Sequence, residues 1–168
     1  MEVEVEKISE YIVKITNIIP RDRCKSLLKS MEKEGDFPDN ILEADVEFLS
    51  EIVENQLENY LKNHAPPVDL TESDASEFTL QLDTIKIDEN GTFNFNYGGK
   101  NKSDRFLAFT FVISENMSKN YFEFTAQKTT NNYQLGELYI SPPYFTHRFS
   151  ITINKESNFR AINIFVCV

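Results

Sequence analysis

A chain of 168 residues, 40% hydrophobic and 12% aromatic, carries enough apolar side chain to fill one core and is expected to form a single domain, 1–168. Its 27 acidic against 17 basic residues leave a net charge of −10, which repels phosphate backbones and anionic lipid surfaces, so neither nucleic acid nor membrane is an expected partner. No run approaches the ~20 apolar residues of a spanning helix, the acidic, alternating start from Met1 to Glu6 is unlike a secretory signal, and Cys24 and Cys167 form no CxxC or disulfide-scaffold pattern, which fits a cytoplasmic, reducing setting.

Along the chain, Val3 and Val5 and then Tyr11 to Ile15 predict one or two opening strands. Pro20 stands where a first helical turn accepts proline, and Cys24, Leu27, Leu28 and Met31 follow at helical spacing, with Gly35 as the expected C-terminal cap. A second helix is expected over about 44–62, with Val46, Leu49, Val53, Leu57, Tyr60 and Leu61 on one stripe. Pro66 and Pro67 end this helical part, 1–64, and the acidic stretch from Asp69 reads as a loop. From 77 to 168 nearly everything is strand-like: Phe78 to Leu82, Phe93 to Tyr97, Leu107 to Ile113, Tyr121 to Thr125, Leu138 to Ile140, Phe145 to Ile153 and Phe159 to Val166. Turn residues separate them at Glu89-Asn90-Gly91, Gly98-Gly99 and Asn131-Asn132. Strands in this number after two helices imply an α+β chain built on an antiparallel barrel or jelly roll.

At the two-residue period of a strand, Phe145, His147, Phe149, Ile151 and Ile153 point one way, and Arg160, Ile162, Ile164 and Val166 share a face in the next strand. A buried guanidinium is costly unless it meets an anion, and a buried imidazole ordinarily has a polar partner or a metal. The inside of the barrel is therefore the expected site, with Arg160 either holding a small anion or pairing with an acidic side chain such as Asp83 or Glu123.

The run from Gly136 to His147, with Pro142-Pro143-Tyr144-Phe145-Thr146 before the histidine, resembles the segment bearing the distal iron ligand in the 2-oxoglutarate/Fe(II) dioxygenases, specifically their prolyl-4-hydroxylase-like, viral-type branch. Ile18 to Leu28 is similar to the family's opening strand and first helix. Ile87 to Phe93 resembles the strand leading to the first metal ligands, and Arg105 to Ile113 and Tyr121 to Phe124 resemble the strands after them. The resemblance implies a double-stranded β-helix (jelly-roll, cupin-like) core with two N-terminal packing helices and His147 at the distal metal position. It also implies that Arg160, thirteen positions on, grips the carboxylate of 2-oxoglutarate.

The family holds Fe(II) with two histidines and one carboxylate, the first pair arriving as H-x-D or H-x-E after the glycine turn. Here that stretch reads Thr92-Phe93-Asn94-Phe95-Asn96-Tyr97-Gly98-Gly99, without histidine or acid, and Asn96 stands at the position of a lost ligand. The expectation is an oxygenase-like protein without that half of the iron site, non-catalytic, with 2-oxoglutarate or another small anion, or a protein, as its partner. Two alternatives stay open: an active hydroxylase whose iron is completed by Asp88, Glu89 or His64, and an unrelated jelly-roll module for a small ligand.

Overall fold

The computed structural model describes residues 2–33, 41–64, 78–87, 91–94, 105–116, 120–143, 149–153 and 159–167. In chain order these form β1 (Glu4–Lys7), β2 (Val13–Thr16), α1 (Arg21–Met31), α2 (Glu43–Asn63), β3 (Thr79–Ile87), β4 (Gly91–Asn94), β5 (Arg105–Val112), β6 (Tyr121–Phe124), β7 (Thr129–Asn132), β8 (Leu138–Ser141), β9 (Phe149–Ile153) and β10 (Phe159–Cys167).

The strands pair antiparallel into a six-stranded sheet, ordered β1-β2-β8-β5-β10-β3, and a four-stranded sheet, ordered β4-β9-β6-β7. From β3 onward the chain passes between the two sheets, so that the last strand, β10, lies between β3 and β5 while β9 lies between β4 and β6. This interleaving is a double-stranded β-helix, the architecture expected from the sequence; β1 and β2 extend its larger sheet beyond β8.

Alternation along β10 explains why this sheet has two buried faces. Ile162, Ile164 and Val166 pack with Leu27 and Met31 of α1, Leu49, Val53 and Leu57 of α2, and Phe109 and Phe111 of β5. Phe159, Ala161 and Phe165 point the other way and meet Phe122 and Phe124 of the smaller sheet. One layer of the core therefore lies between helices and sheet, and the other lies between the two sheets.

Both helices form where their apolar stripes demand. Pro20 precedes the first turn of α1, and Glu32 closes the helix with its N–H on the Leu28 carbonyl; Gly35, the expected cap, lies outside the described residues. The helices are joined by Asp45, fully buried, which accepts from Arg23 Nη1 at 2.9 Å and Ser26 Oγ at 2.7 Å. Cys24 is the small buried hydrophobe its position predicts, and burial pushes its thiol up to about 12.

One expectation is corrected in the second half. Asn131 and Asn132, read as a turn, are the end of β7, where they pair with Phe122 and Tyr121. The turn lies just before, at 125–128, with Lys128 at φ 53°. Asparagine weakly disfavours strands, but pairing to β6 at the edge of the sheet overrides that tendency.

Candidate functional site

The face of β10 that carries Arg160 is the helix-packed one. The barrel-ward placement expected from its apolar neighbours is thus corrected: Ile162, Ile164 and Val166 do share its face, but that face is covered by α1 and α2. The guanidinium, in a residue only 7% exposed, donates from Nε to Glu32 Oε1 at 2.7 Å and from Nη1 to the carbonyls of Ile87 and Phe159 at 3.1 and 3.0 Å. Among the described residues its acidic partner is Glu32, the cap residue of α1, and neither Asp83 nor Glu123. Its backbone N–H is held by Ser114 Oγ at 2.9 Å.

His147 and Asn96 lie outside the described residues, as do Asp88 and Glu89. The described pairing of β4 with β9 ends at Asn94 opposite Ser150. His64, weighed as a replacement ligand, terminates α2 on the helix side of the large sheet. Its ring stacks on Tyr60 at 4.9 Å and its Nδ1 donates to the Glu10 carbonyl at 2.9 Å. Among the described residues, no group of three or more His, Cys, Asp or Glu side chains is placed to hold a metal ion.

The inner face of the large sheet carries polar groups that the sequence reading did not single out. Thr110 of β5 stands opposite Asn163 of β10 on one side and Tyr139 of β8 on the other. Ser141 lies two residues from Tyr139 on the same strand face and opposite Ala108. Directly opposed side chains in such a ladder have Cβ atoms about 5 Å apart, so these groups form one patch. Thr110 Oγ1, Ser141 Oγ and both the amide nitrogen and oxygen of Asn163 are buried without a hydrogen-bond partner among the described residues. Each such group costs about 1–3 kcal/mol when left unpaired.

An arginine closes the patch at one end. In an unbroken register Phe106 would oppose Cys167, but the pairing shifts there and Arg105 takes that position. The shift is a bulge: Phe106 and Leu107 both turn to the helix side, and Arg105 is re-aimed to the inner face. Its guanidinium lies 3.6 Å from the centre of the Phe165 ring and donates from Nε and Nη2 to Gln81 Oε1 at 2.9 and 2.7 Å. Simple alternation from Leu107 and Phe109 would have placed it on the other face, so no sequence signal marked it. Asn163 did leave a signal, as the one amide in the run Ala161-Ile162-Asn163-Ile164.

At the other end the interior is filled by rings. Phe122 meets Tyr139 edge-on at 4.5 Å and Phe159 at 5.7 Å, and Tyr133 meets Phe159 at 5.0 Å. Glu137, beside them and buried, accepts at Oε2 from the Gln134 N–H at 2.9 Å and the Tyr139 hydroxyl at 3.0 Å. Burial holds its carboxyl above the ordinary range against those two hydrogen bonds and the more distant Lys14, while Glu6 adds to the rise. The same burial, and the neighbouring carboxyl, keep the Tyr139 hydroxyl protonated.

Strand interleaving, two covering helices and a polar inner face place the chain in the double-stranded β-helix fold of the prolyl 4-hydroxylases. The viral collagen prolyl hydroxylase from Paramecium Bursaria Chlorella virus-1 matches it with a TM-score of 0.67 at 12% identity, over 94% of this chain and 90% of that one. A complex of that enzyme with 2OG matches with the same TM-score at 11% identity, over 94% and 96%. A prolyl-4-hydroxylase from Pseudomonas putida matches with a TM-score of 0.59 at 9% identity, over 93% and 91%. The likeness is one of fold. No family model matches the chain, and no curated protein matches it in sequence.

Proposed function

We propose that the chain is a prolyl-4-hydroxylase-fold protein that works by binding rather than by iron chemistry. The observation that carries this reading is the position of Arg160, the cation in the last strand, which faces the helices and meets Glu32 instead of the space between the sheets. The donor set supports it as well. The stretch from Thr92 to Gly99 supplies no imidazole and no carboxylate, and a neutral carboxamide such as Asn96 is a weak substitute for either at iron. His147 alone would leave Fe(II) with one strong protein ligand from the motif positions.

The ligand of this reading is a small carboxylate, 2-oxoglutarate or a relative of it, held without metal at the inner patch. Thr110, Ser141 and the Asn163 amide nitrogen supply donors for carboxylate oxygens, and Arg105 lies at the end of the patch with its charge. In this reading Arg160 is a structural cation. The decisive assay incubates protein purified without oxygen with Fe(II), 2-oxoglutarate and candidate prolyl peptides, and measures succinate. The expected result is succinate at the level of the protein-free control. Fe(II)-dependent succinate that disappears in His147→Ala would establish the active hydroxylase instead.

A further inference from the structure

The far end of the large sheet carries a second surface, on the sheet face opposite the inner patch. β1 is the last strand there and pairs with β2 alone, so among the described residues its outer edge has no strand partner. An unpaired edge presents a row of backbone N–H and C=O groups that another extended segment can complete. All four residues of β1 are exposed, and Val3 and Val5 stand 49% and 67% exposed.

Val5 lies opposite Ile15, on the helix side of the sheet. With Val13, Ile15 and Ile140 it floors a cleft of about 310 Å³, whose other wall is the end of α2. That wall is fixed in place. Tyr60 donates from its hydroxyl to the Tyr11 carbonyl at 2.9 Å, and His64 stacks on Tyr60 while donating to Glu10. Asn59 adds an amide at the rim. The cleft has the size and the apolar floor to take one or two apolar side chains.

Beside the two valines, Glu2, Glu4 and Glu6 alternate along the same segment, all exposed, with Glu6 paired to Lys14. We propose that β1 and this cleft form a docking site for an extended basic segment of another protein, which adds to the sheet edge as a further strand. Its apolar side chains would face Val3, Val5 and the cleft, and its Lys or Arg side chains would alternate with them to meet Glu2 and Glu4. The strand period of two makes that alternation the matching pattern. A second copy of this chain is the poorer occupant, because pairing β1 with β1 sets glutamates against glutamates on a protein already at −10.

The test is fluorescence anisotropy of a labelled Lys-Val-Lys-Val-Lys-Val peptide titrated with the full chain, combined with hydrogen exchange of the complex. The expected outcome is saturable binding that weakens about tenfold between low and high salt, slowed exchange of the amides of β1, and a loss of about tenfold in affinity in either Glu4→Lys or Val5→Asp. Both substitutions sit on exposed positions and leave the core untouched. Failure to bind, binding unchanged in both variants, slowed exchange elsewhere than β1, or a chain that dimerises through β1 and is made monomeric by Val5→Asp would each overturn the proposal.

Discussion

Gly136 ties the N-terminal segment to the barrel. Its carbonyl accepts from the N–H groups of Ile18 and Ile19 at 3.1 and 3.2 Å, and its own N–H reaches the Val112 carbonyl at 2.9 Å. It sits at φ +83°, and a Cβ there would stand 2.6 Å from the Ile19 carbonyl oxygen. A left-handed backbone costs a non-glycine residue about 1–2 kcal/mol before any clash. Gly136→Ala is therefore expected to lose more than about 2 kcal/mol in urea denaturation, and a loss below about 0.5 kcal/mol would mean that the contact with Ile19 is not made. Arg160 gives a second test at this scale. The side chain of Glu32 is 53% exposed, so solvent screens the pair and the coupling in a double-mutant cycle should fall below about 1 kcal/mol. Arg160→Gln should cost more than Glu32→Gln, by about 1–3 kcal/mol, because the carbonyls of Ile87 and Phe159 lose their donor as well. Equal costs would place the whole role of Arg160 in the ion pair. Glu137 supplies the pH dependence. Its carboxyl titrates above the ordinary value of 4.5 in the folded chain, so between 4.5 and that raised value the native state binds more protons than the unfolded state. Stability then falls as pH rises through this window. Glu137→Gln should match the wild type in melting temperature at pH 4 and exceed it at pH 8, and a gap that does not change with pH would contradict the assignment.

At the scale of elements, period and face are separable, and only the period was legible in the sequence. Both helices, the long strand before Ile113 and the final strand could be read from where Leu27, Leu49, Phe109 and Ile164 recur. The alternation of β10 correctly grouped Arg160 with Ile162, Ile164 and Val166. It could not say which layer that face meets, because β10 lies between β3 and β5 with helices on one side and a second sheet on the other, and both layers are apolar. The bulge at Phe106 and Leu107 is invisible for a related reason: both residues are large and apolar, so a strand that skips one of them reads like a strand that does not. Arg105 was missed for that reason. Thr110 and Ser141 were missed because small hydroxyl residues among apolar neighbours are common in plain strands, and only the pairing of β5 with β8 and β10 brings them into one patch.

At the scale of the molecule, the barrel has the double-stranded β-helix architecture of the prolyl 4-hydroxylases. A cation expected between the sheets braces a helix against them, and a different cation reaches the inner face by a bulge. Neutral hydroxyl and amide groups stand buried on that face without a hydrogen-bond partner among the described residues, and the proposed function assigns them to a bound carboxylate. The measurement that bears most directly on this view is a calorimetric titration of 2-oxoglutarate into the protein with and without Mn(II), repeated with Arg160→Gln and Asn163→Leu. Affinity that is the same with and without the metal, survives Arg160→Gln and is lost in Asn163→Leu is the predicted result. Affinity that appears only with Mn(II), and vanishes in Arg160→Gln, would contradict it.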